Sequence, residues 1–297
     1  MSGPPPTIVL TGAGGQLGRE LVAALSACGT LVACDRAALD IAEPAAIERV
    51  VRGASPQFIV NAAAYTAVDR AETERDLAYA INGRAPGVLA AEALRCGATL
   101  IHYSTDYVFN GKRTTPYDED EAPDPINTYG ASKLAGEQAI ARSGACALTL
   151  RTSWVYGRRG QNFLLTMQRL AAQRDEIRVV ADQRGVPNWT RAIARATASL
   201  IRRGAADLAR HAGVYHVSAQ GETTWFEFAR TILADTRVRV VPITTADYPT
   251  PARRPAYGVL DSSRFARAFG IALPGWKQML TECLHAPEEP SSALPVN

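Results

Sequence analysis

Thr7-Ile8-Val9-Leu10-Thr11-Gly12-Ala13-Gly14-Gly15-Gln16-Leu17-Gly18 is the stretch on which the fold turns. Its first residues are apolar or β-branched and read as a buried strand. Gly12, Gly15 and Gly18 then give a GxxGxxG spacing, and Gly14 adds an overlapping GxG. Glycines at that spacing let the backbone approach a pyrophosphate and let the following helix pack tightly on the strand. Gln16 and Leu17 open that helix, whose unpaired N–H groups would meet the phosphates. A glycine triplet alone says little, because loops use glycine freely. Here it joins the first strand to the first helix, which points to a dinucleotide.

The alternation continues outward from this unit. Short, mostly apolar runs at 31–34, 58–60, 99–103, 147–150 and 214–217 read as buried parallel strands beside 7–10. Ala-rich amphipathic stretches at 16–28, 44–53, 85–96, 129–141, 163–172 and 191–203 read as helices. Strand and helix alternating over this length specify an α/β protein with a Rossmann-type doubly wound parallel sheet. After residue 155 the rhythm loosens and Pro and Trp grow frequent, as at Pro187, Trp189, Trp225, Pro255 and Trp276. Residues 1–155 are therefore expected to form the dinucleotide-binding domain, with segments near 186–217 and 240–260 returning to it. Residues 156–185 and 218–290 are expected to form a smaller C-terminal substrate-binding lobe. The Pro-rich ends, 1–6 and 287–297, read as mobile tails.

Composition removes several classes. A hydrophobic content of 47% with 21% charged residues over 297 positions is ordinary for a globular protein. The formal charge of +3 comes without any dense basic cluster, so nucleic acid is not an expected partner. No apolar run reaches membrane-span length and the N-terminus has no signal-peptide pattern, so no membrane association is expected. The 5 cysteines are scattered without a CxxC, and the 4 histidines form no HxxH. Reduced thiols, a cytoplasmic location and no metal site follow as expectations.

Tyr129-Gly130-Ala131-Ser132-Lys133 carries the strongest chemical signal. Among 32 basic residues only Lys112, Lys133 and Lys277 are lysines; the others are arginines. On a helix, positions four apart share a face, so the Lys133 ammonium would sit near the Tyr129 phenol. A neighbouring cation favours the phenolate and would bring Tyr129 toward the range useful for acid–base work. A solvated helix face is the bland alternative. At the second strand's end, Asp35 would hold ribose hydroxyls and favour NADH, whereas the adjacent Arg36 would accept the 2′-phosphate of NADPH. Asp40 and Ile41 flank the adenine position in one reading; Asp40 caps a helix in the other.

Further runs narrow the reading: Asn61-Ala62-Ala63-Ala64-Tyr65-Thr66-Ala67-Val68-Asp69, Ser104-Thr105-Asp106-Tyr107-Val108-Phe109 and Arg151-Thr152-Ser153-Trp154-Val155-Tyr156-Gly157. With Tyr129-xxx-Lys133, they resemble the dTDP-4-dehydrorhamnose reductase family of the extended short-chain dehydrogenase/reductase superfamily. The likeness runs from residue 7 to 285 and takes in Asn162-Phe163, Asp182-Gln183-Arg184-Gly185-Val186-Pro187 and Tyr248 to Pro255.

The resemblance implies reduction of a sugar C4 keto group in a dTDP-6-deoxyhexose by NADPH or NADH. Tyr129 would donate the proton, Lys133 would tune it and bind the nicotinamide ribose, and Thr105 would hydrogen-bond the same carbonyl oxygen. Ala62, Ala63, Ala64 and Thr66 would line the cofactor. Asp106, Tyr107, Trp154 and Asn162 would surround the sugar nucleotide. Arg254 would meet the diphosphate or form a structural ion pair. Asn82 would stand near the active-site helix or simply bond a backbone carbonyl. Dehydratases of the superfamily carry Asp-Glu after the catalytic Thr, and here Tyr107 follows Asp106. An epimerase or reductase of another nucleotide 6-deoxysugar, and a regulatory subunit of the methionine adenosyltransferase β type, are the alternatives. Arg191 and Arg195 stand where some relatives place metal-binding acids, so no metal is expected there, and a monomer or homodimer is expected.

Overall fold

A computed structural model describes residues 4–287; of the tails expected to be mobile, 1–3 and 288–297 lie outside the described residues. Strand β1 (Thr7–Thr11) leads through the glycine turn into helix α1 (Gln16–Leu25) and strand β2 (Thr30–Cys34). Helix α2 (Pro44–Ala54), β3 (Phe58–Asn61), α3 (Ala85–Cys96), β4 (Thr99–Thr105), α4 (Thr128–Ser143) and β5 (Ala147–Thr152) follow. Later come α5 (Phe163–Ala171), β6 (Glu176–Val180), α6 (Thr190–Arg202), β7 (Gly213–His216), α7 (Trp225–Ile232), β8 (Arg239–Ile243) and α8 (Trp276–His285).

The main sheet has six parallel strands in the order β7-β5-β4-β3-β1-β2. Successive residues in each strand point to opposite faces. Ile8, Leu10, Val60, Ile101, Leu148 and Leu150 enter one core with α1, α6 and the C-terminal elements. Ile59, Leu100 and Ala147 enter the other, with Ile47 and Val51 of α2 and Leu89 and Ala93 of α3. This division explains why the strands are apolar on both faces.

The chain steps from β1 outward to β2 and then returns to the other side of β1 for β3. That reversal puts a crevice at the C-terminal ends of β1 and β3, where ligands of such sheets bind. Gly12 and Ala62 are the first residues beyond those ends.

Of the later segments, β7 joins the sheet edge beside β5. Strand β8, by contrast, pairs with β6 in a separate two-stranded parallel sheet, so the segment near 240–260 does not rejoin the main sheet through a strand. Strand β6 alternates in burial, as a strand covered on one face should, whereas β8 buries only Ile243 at its end. No described helix is long and apolar enough to cross a membrane.

One polar contact pins the helix that carries Tyr129 and Lys133. Glu137 of α4 accepts two hydrogen bonds from Arg151 of β5, Nε to Oε1 at 3.0 Å and Nη2 to Oε2 at 2.7 Å. Both side chains are buried, with exposures of 4% and 6%. Removing one partner of such a pair strands the other charge in a poorly solvating interior. Arg151→Met is expected to lower unfolding stability by about 3 kcal/mol, whereas Arg151→Met combined with Glu137→Leu recovers most of that loss. Paired thermal or urea denaturation of the two variants checks this.

Candidate active site

The ridge Tyr129, Lys133 and Glu137 lies along one face of α4, and each residue meets a different part of the sheet. The helix begins at Asn127, whose side chain accepts from Gly130 N at 2.8 Å and donates to Arg253 O at 2.7 Å. Tyr129 lies edge-on to Tyr107, with ring centroids 5.7 Å apart. The Thr105 hydroxyl, at the end of β4 and close to the Tyr129 phenol, accepts from Tyr107 N at 3.1 Å and donates to Asp106 Oδ1 at 3.1 Å. Thr105, Asp106, Tyr107 and Tyr129 thus gather at one strand end.

Their electrostatics differ from the expectation of a phenol made acidic by lysine. Burial pushes Tyr129 up to about 12, the Asp106 charge adds to this, and only the neighbouring Thr105 hydroxyl opposes it. Lys133 instead donates to Tyr103 O at 2.6 Å, and burial pushes its ammonium down to about 8 against the attraction of Glu137. Desolvation therefore outweighs the helix spacing. At neutral pH Tyr129 is a protonated phenol, the state a proton donor requires. Burial also pushes the Asp106 carboxyl up to about 7.

The crevice at the strand ends forms a cleft of about 530 Å³ lined by Gly12, Gly15, Asp35, Arg36, Asp40, Ile41, Ala62, Ala63, Ala64 and Thr66. Ten of the sequence-derived cofactor residues therefore share one wall. Gly12 has φ +72°, and a Cβ there would lie 2.5 Å from Ala63 N; one on Gly18 would lie 1.9 Å from Gly12 O. Those two positions have room only for glycine. No side chain caps the first turn of α1, so its N–H groups suit a pyrophosphate. Gln16 does not line the cleft: its amide donates to Val155 O at 3.4 Å, and Leu17 packs against the core. Asp35 Oδ1 accepts from Ala37 N and Ala38 N, at 3.0 and 2.9 Å, while Arg36 is exposed. Asp40 accepts from Ala42 N at 3.0 Å; it closes a turn and does not cap α2, whose N-cap is Glu43.

Asn82 sits in a π-helical turn, Ala80–Arg84, just before α3. Its amide accepts from Tyr65 N and donates to Tyr65 O, both at 2.9 Å, and to Ser132 Oγ at 3.1 Å. It ties the cleft wall to α4, a longer-range role than a helix-interior amide would have.

Just beyond the end of β5, Trp154 has φ +41°, a left-handed conformation costly for a bulky residue. Asn188 holds it there: Asn188 N donates to Trp154 O at 3.1 Å and Asn188 Nδ2 to Ser153 O at 2.8 Å. The indole stacks on Trp225 with centroids 3.5 Å apart, and a Cβ on Gly185 would come within 2.4 Å of its other side. Trp225 and Asn188 lie far from Trp154 in the chain, and no local pattern singles them out.

Two expected substrate contacts have other work in the structure. Arg254 makes a bidentate pair with Asp69, at 3.0 and 2.8 Å, so the ion-pair reading of this residue is the one observed. Asn162 caps α5 by accepting from Leu165 N at 3.1 Å and donates to Gly157 O at 2.9 Å, which commits its amide to the loop. Arg191 pairs with Glu20 and, with Arg195, lies over Trp189. Among the described residues no group of metal-ligating side chains gathers.

The family model described as RmlD substrate binding domain matches residues 6–288. A dTDP-4-dehydrorhamnose reductase of Burkholderia thailandensis is 46% identical over 290 residues, covering 93% of this chain and 97% of its own. One from Escherichia coli is 42% identical with the same coverage. The crystal structure of dTDP-4-dehydrorhamnose reductase from Bacillus anthracis in complex with NADP superposes with a TM-score of 0.89 at 40% identity, over 94% of this chain and 98% of the other. With its glycine turn, its Thr105–Tyr129–Lys133 cluster and this likeness along nearly the whole length, the chain belongs to the dTDP-4-dehydrorhamnose reductase family.

Proposed function

We propose that the protein reduces the C4 keto group of dTDP-4-dehydro-β-L-rhamnose to give dTDP-β-L-rhamnose, using NADPH or NADH. The observation that carries this reading is that Thr105 ends β4 directly beside β3, whose end lines the glycine-lined cleft, while Asn82 ties Tyr65 of that cleft to Ser132 on the helix of Tyr129. Gly12, Gly15, Ala62, Ala63 and Ala64 would hold the dinucleotide, with Asp35 and Arg36 at its ribose end. When bound, the cofactor supplies the hydride.

The chain's own residues supply position and a proton. Tyr129, kept neutral by burial, holds the proton that the C4 oxygen takes as it gains negative charge. The Thr105 hydroxyl shares that oxygen and stabilises the charge developing on it. Lys133 would contact the nicotinamide ribose from the next turn of α4. Asp106, Tyr107 and the Trp154–Trp225 stack would form the sugar-nucleotide side. The strained Trp154 backbone fits such a role, because strain persists where a side chain must be held in one place. Tyr107 occupies the position of the dehydratase glutamate, so the second acid needed to eliminate water is missing there.

The test is a coupled assay with dTDP-4-dehydro-6-deoxyglucose, a 3,5-epimerase and either reduced cofactor, with identification of the sugar product. Tyr129→Phe is expected to lower kcat at least about a hundredfold while dinucleotide binding persists. Cofactor binding without any oxidation in the unaltered protein would sink the reductase reading.

Asp106 gives a pH signature. Below about 7 its carboxyl is protonated; above that value it becomes an anion beside Tyr129 and makes the phenol a weaker acid. The kcat/KM is therefore expected to fall as pH rises through about 7. Asp106→Asn removes the titrating group, and the profile should lose that step.

A further inference from the structure

Tyr129 is the second residue of α4, and a phenol at a helix end is only as well placed as the turn that carries it. Three neighbours fix that first turn. Asn127 accepts from Gly130 N, as an N-cap does. The Tyr107 carbonyl packs so closely that a Cβ on Gly130 would lie 2.1 Å from its oxygen. The third neighbour is Glu72, which the proposed reaction does not use. Its Oε1 accepts from Thr128 N at 2.8 Å, and its Oε2 accepts from Thr128 Oγ1 at 3.0 Å.

The donors present give the second bond its direction. Arg75 Nη1 also lies 3.1 Å from Thr128 Oγ1, and a guanidinium only donates. The hydroxyl therefore receives Arg75 on a lone pair and sends its single proton to Glu72. Both oxygens of Glu72 are thus committed to one residue, the one immediately before Tyr129. Helix α4 has no acidic residue in its own first turn. Glu72 supplies, from another part of the chain, the negative group that a helix N-terminus favours.

Glu72 is itself held on both sides. It follows the short helix Val68–Ala71, which comes directly after the cleft-lining residues 62–67. Asp69 of that helix accepts from Ala252 N at 3.1 Å and pairs with Arg254, so the loop carrying those two residues braces it. Upstream, Asn82 binds both backbone groups of Tyr65. We propose that Glu72 is a positioning residue for Tyr129: by holding Thr128 at both its N–H and its hydroxyl, it sets where the phenol stands relative to the cofactor cleft. The inference rests on the proposed role of Tyr129 as proton donor. A misplacement of about 1 Å at a reacting group costs roughly a hundredfold in rate, so small shifts of this turn matter.

Two measurements on the full chain test this. Amide hydrogen exchange reads the helix turn without substrate. In Glu72→Ala, exchange at 128–131 should rise at least about tenfold while the rest of α4 keeps its protection. Glu72→Gln keeps an acceptor for Thr128 N and should stay within about threefold. Steady-state kinetics in H2O and D2O read the phenol. Glu72→Ala should lower kcat at least about tenfold and leave the KM for the dinucleotide within about twofold. It should also enlarge the solvent isotope effect on kcat, because transfer of the Tyr129 proton becomes slower. Glu72→Gln should restore most of kcat. Thr128→Val removes the hydroxyl link alone and should give the same pattern at about threefold, a second arm should Glu72→Ala fold poorly. A smaller amount of folded protein lowers kcat without changing the isotope effect; that pattern in both Glu72→Ala and Thr128→Val would overturn the proposal. Unchanged exchange at 128–131, or equal kcat losses for Glu72→Ala and Glu72→Gln, would overturn it as well. Exchange needs no turnover, so it judges Glu72 even where the unaltered protein oxidises neither cofactor, an outcome that counts against the reductase reading alone.

Discussion

The burial of a polar helix face against an apolar sheet is the constraint on which the rest of this structure depends. Tyr129, Lys133 and Glu137 stand at four-residue intervals on α4, and a helix must turn such a set toward one side. Each group would be expensive to bury alone. The sheet answers with a partner for each: the Thr105 hydroxyl, the Tyr103 carbonyl and the Arg151 guanidinium. Because those partners lie on β4 and β5 at fixed register, the helix can neither slide nor rotate without stranding a charge. The geometry that makes the site reactive is thus the same geometry that keeps the helix in place.

The crevice depends on a second constraint, the lack of space between the first turn and the third strand. Gly12 and Ala63 meet at a distance no larger side chain would tolerate, and Gly18 lets α1 close over the turn. Backbone, not side chain, therefore faces the cleft where a dinucleotide would lie. Asn82 extends the same wall by binding both backbone groups of Tyr65 and reaching Ser132 on α4. The π-helical turn that carries it is a local departure from ideal helix geometry, of the kind that collects near functional sites. Beyond the end of β5, Trp154 is held in a left-handed backbone by Asn188 and stacked on Trp225.

The sheet and most of its helices were legible in the sequence because their signals are local. Six apolar runs became the six parallel strands, and the glycine turn fell between β1 and α1 as its spacing required. Ten of the residues expected at a cofactor line a single cleft for the same reason: each lies within a few positions of a strand end. The C-terminal part was less legible. Strands β6 and β8 stabilise each other across more than sixty residues, and no local pattern names either as the other's partner.

What the sequence determined by itself was which residues have chemistry to offer: Tyr129 and Lys133 by type and spacing, and Thr105 through the family resemblance of the run around it. What only the tertiary structure decided was their protonation and their partners. A helix spacing predicts that lysine will acidify tyrosine, but burial acts on both groups and pushes the phenol up and the ammonium down. Arg254 pairs with Asp69 because the fold brings together residues 185 positions apart. Glu72 meets Thr128 from 56 positions away, a contact that no sequence pattern announces. Desolvation and long-range hydrogen bonding depend on what surrounds a group in space, and the order of residues along the chain does not contain that information in readable form.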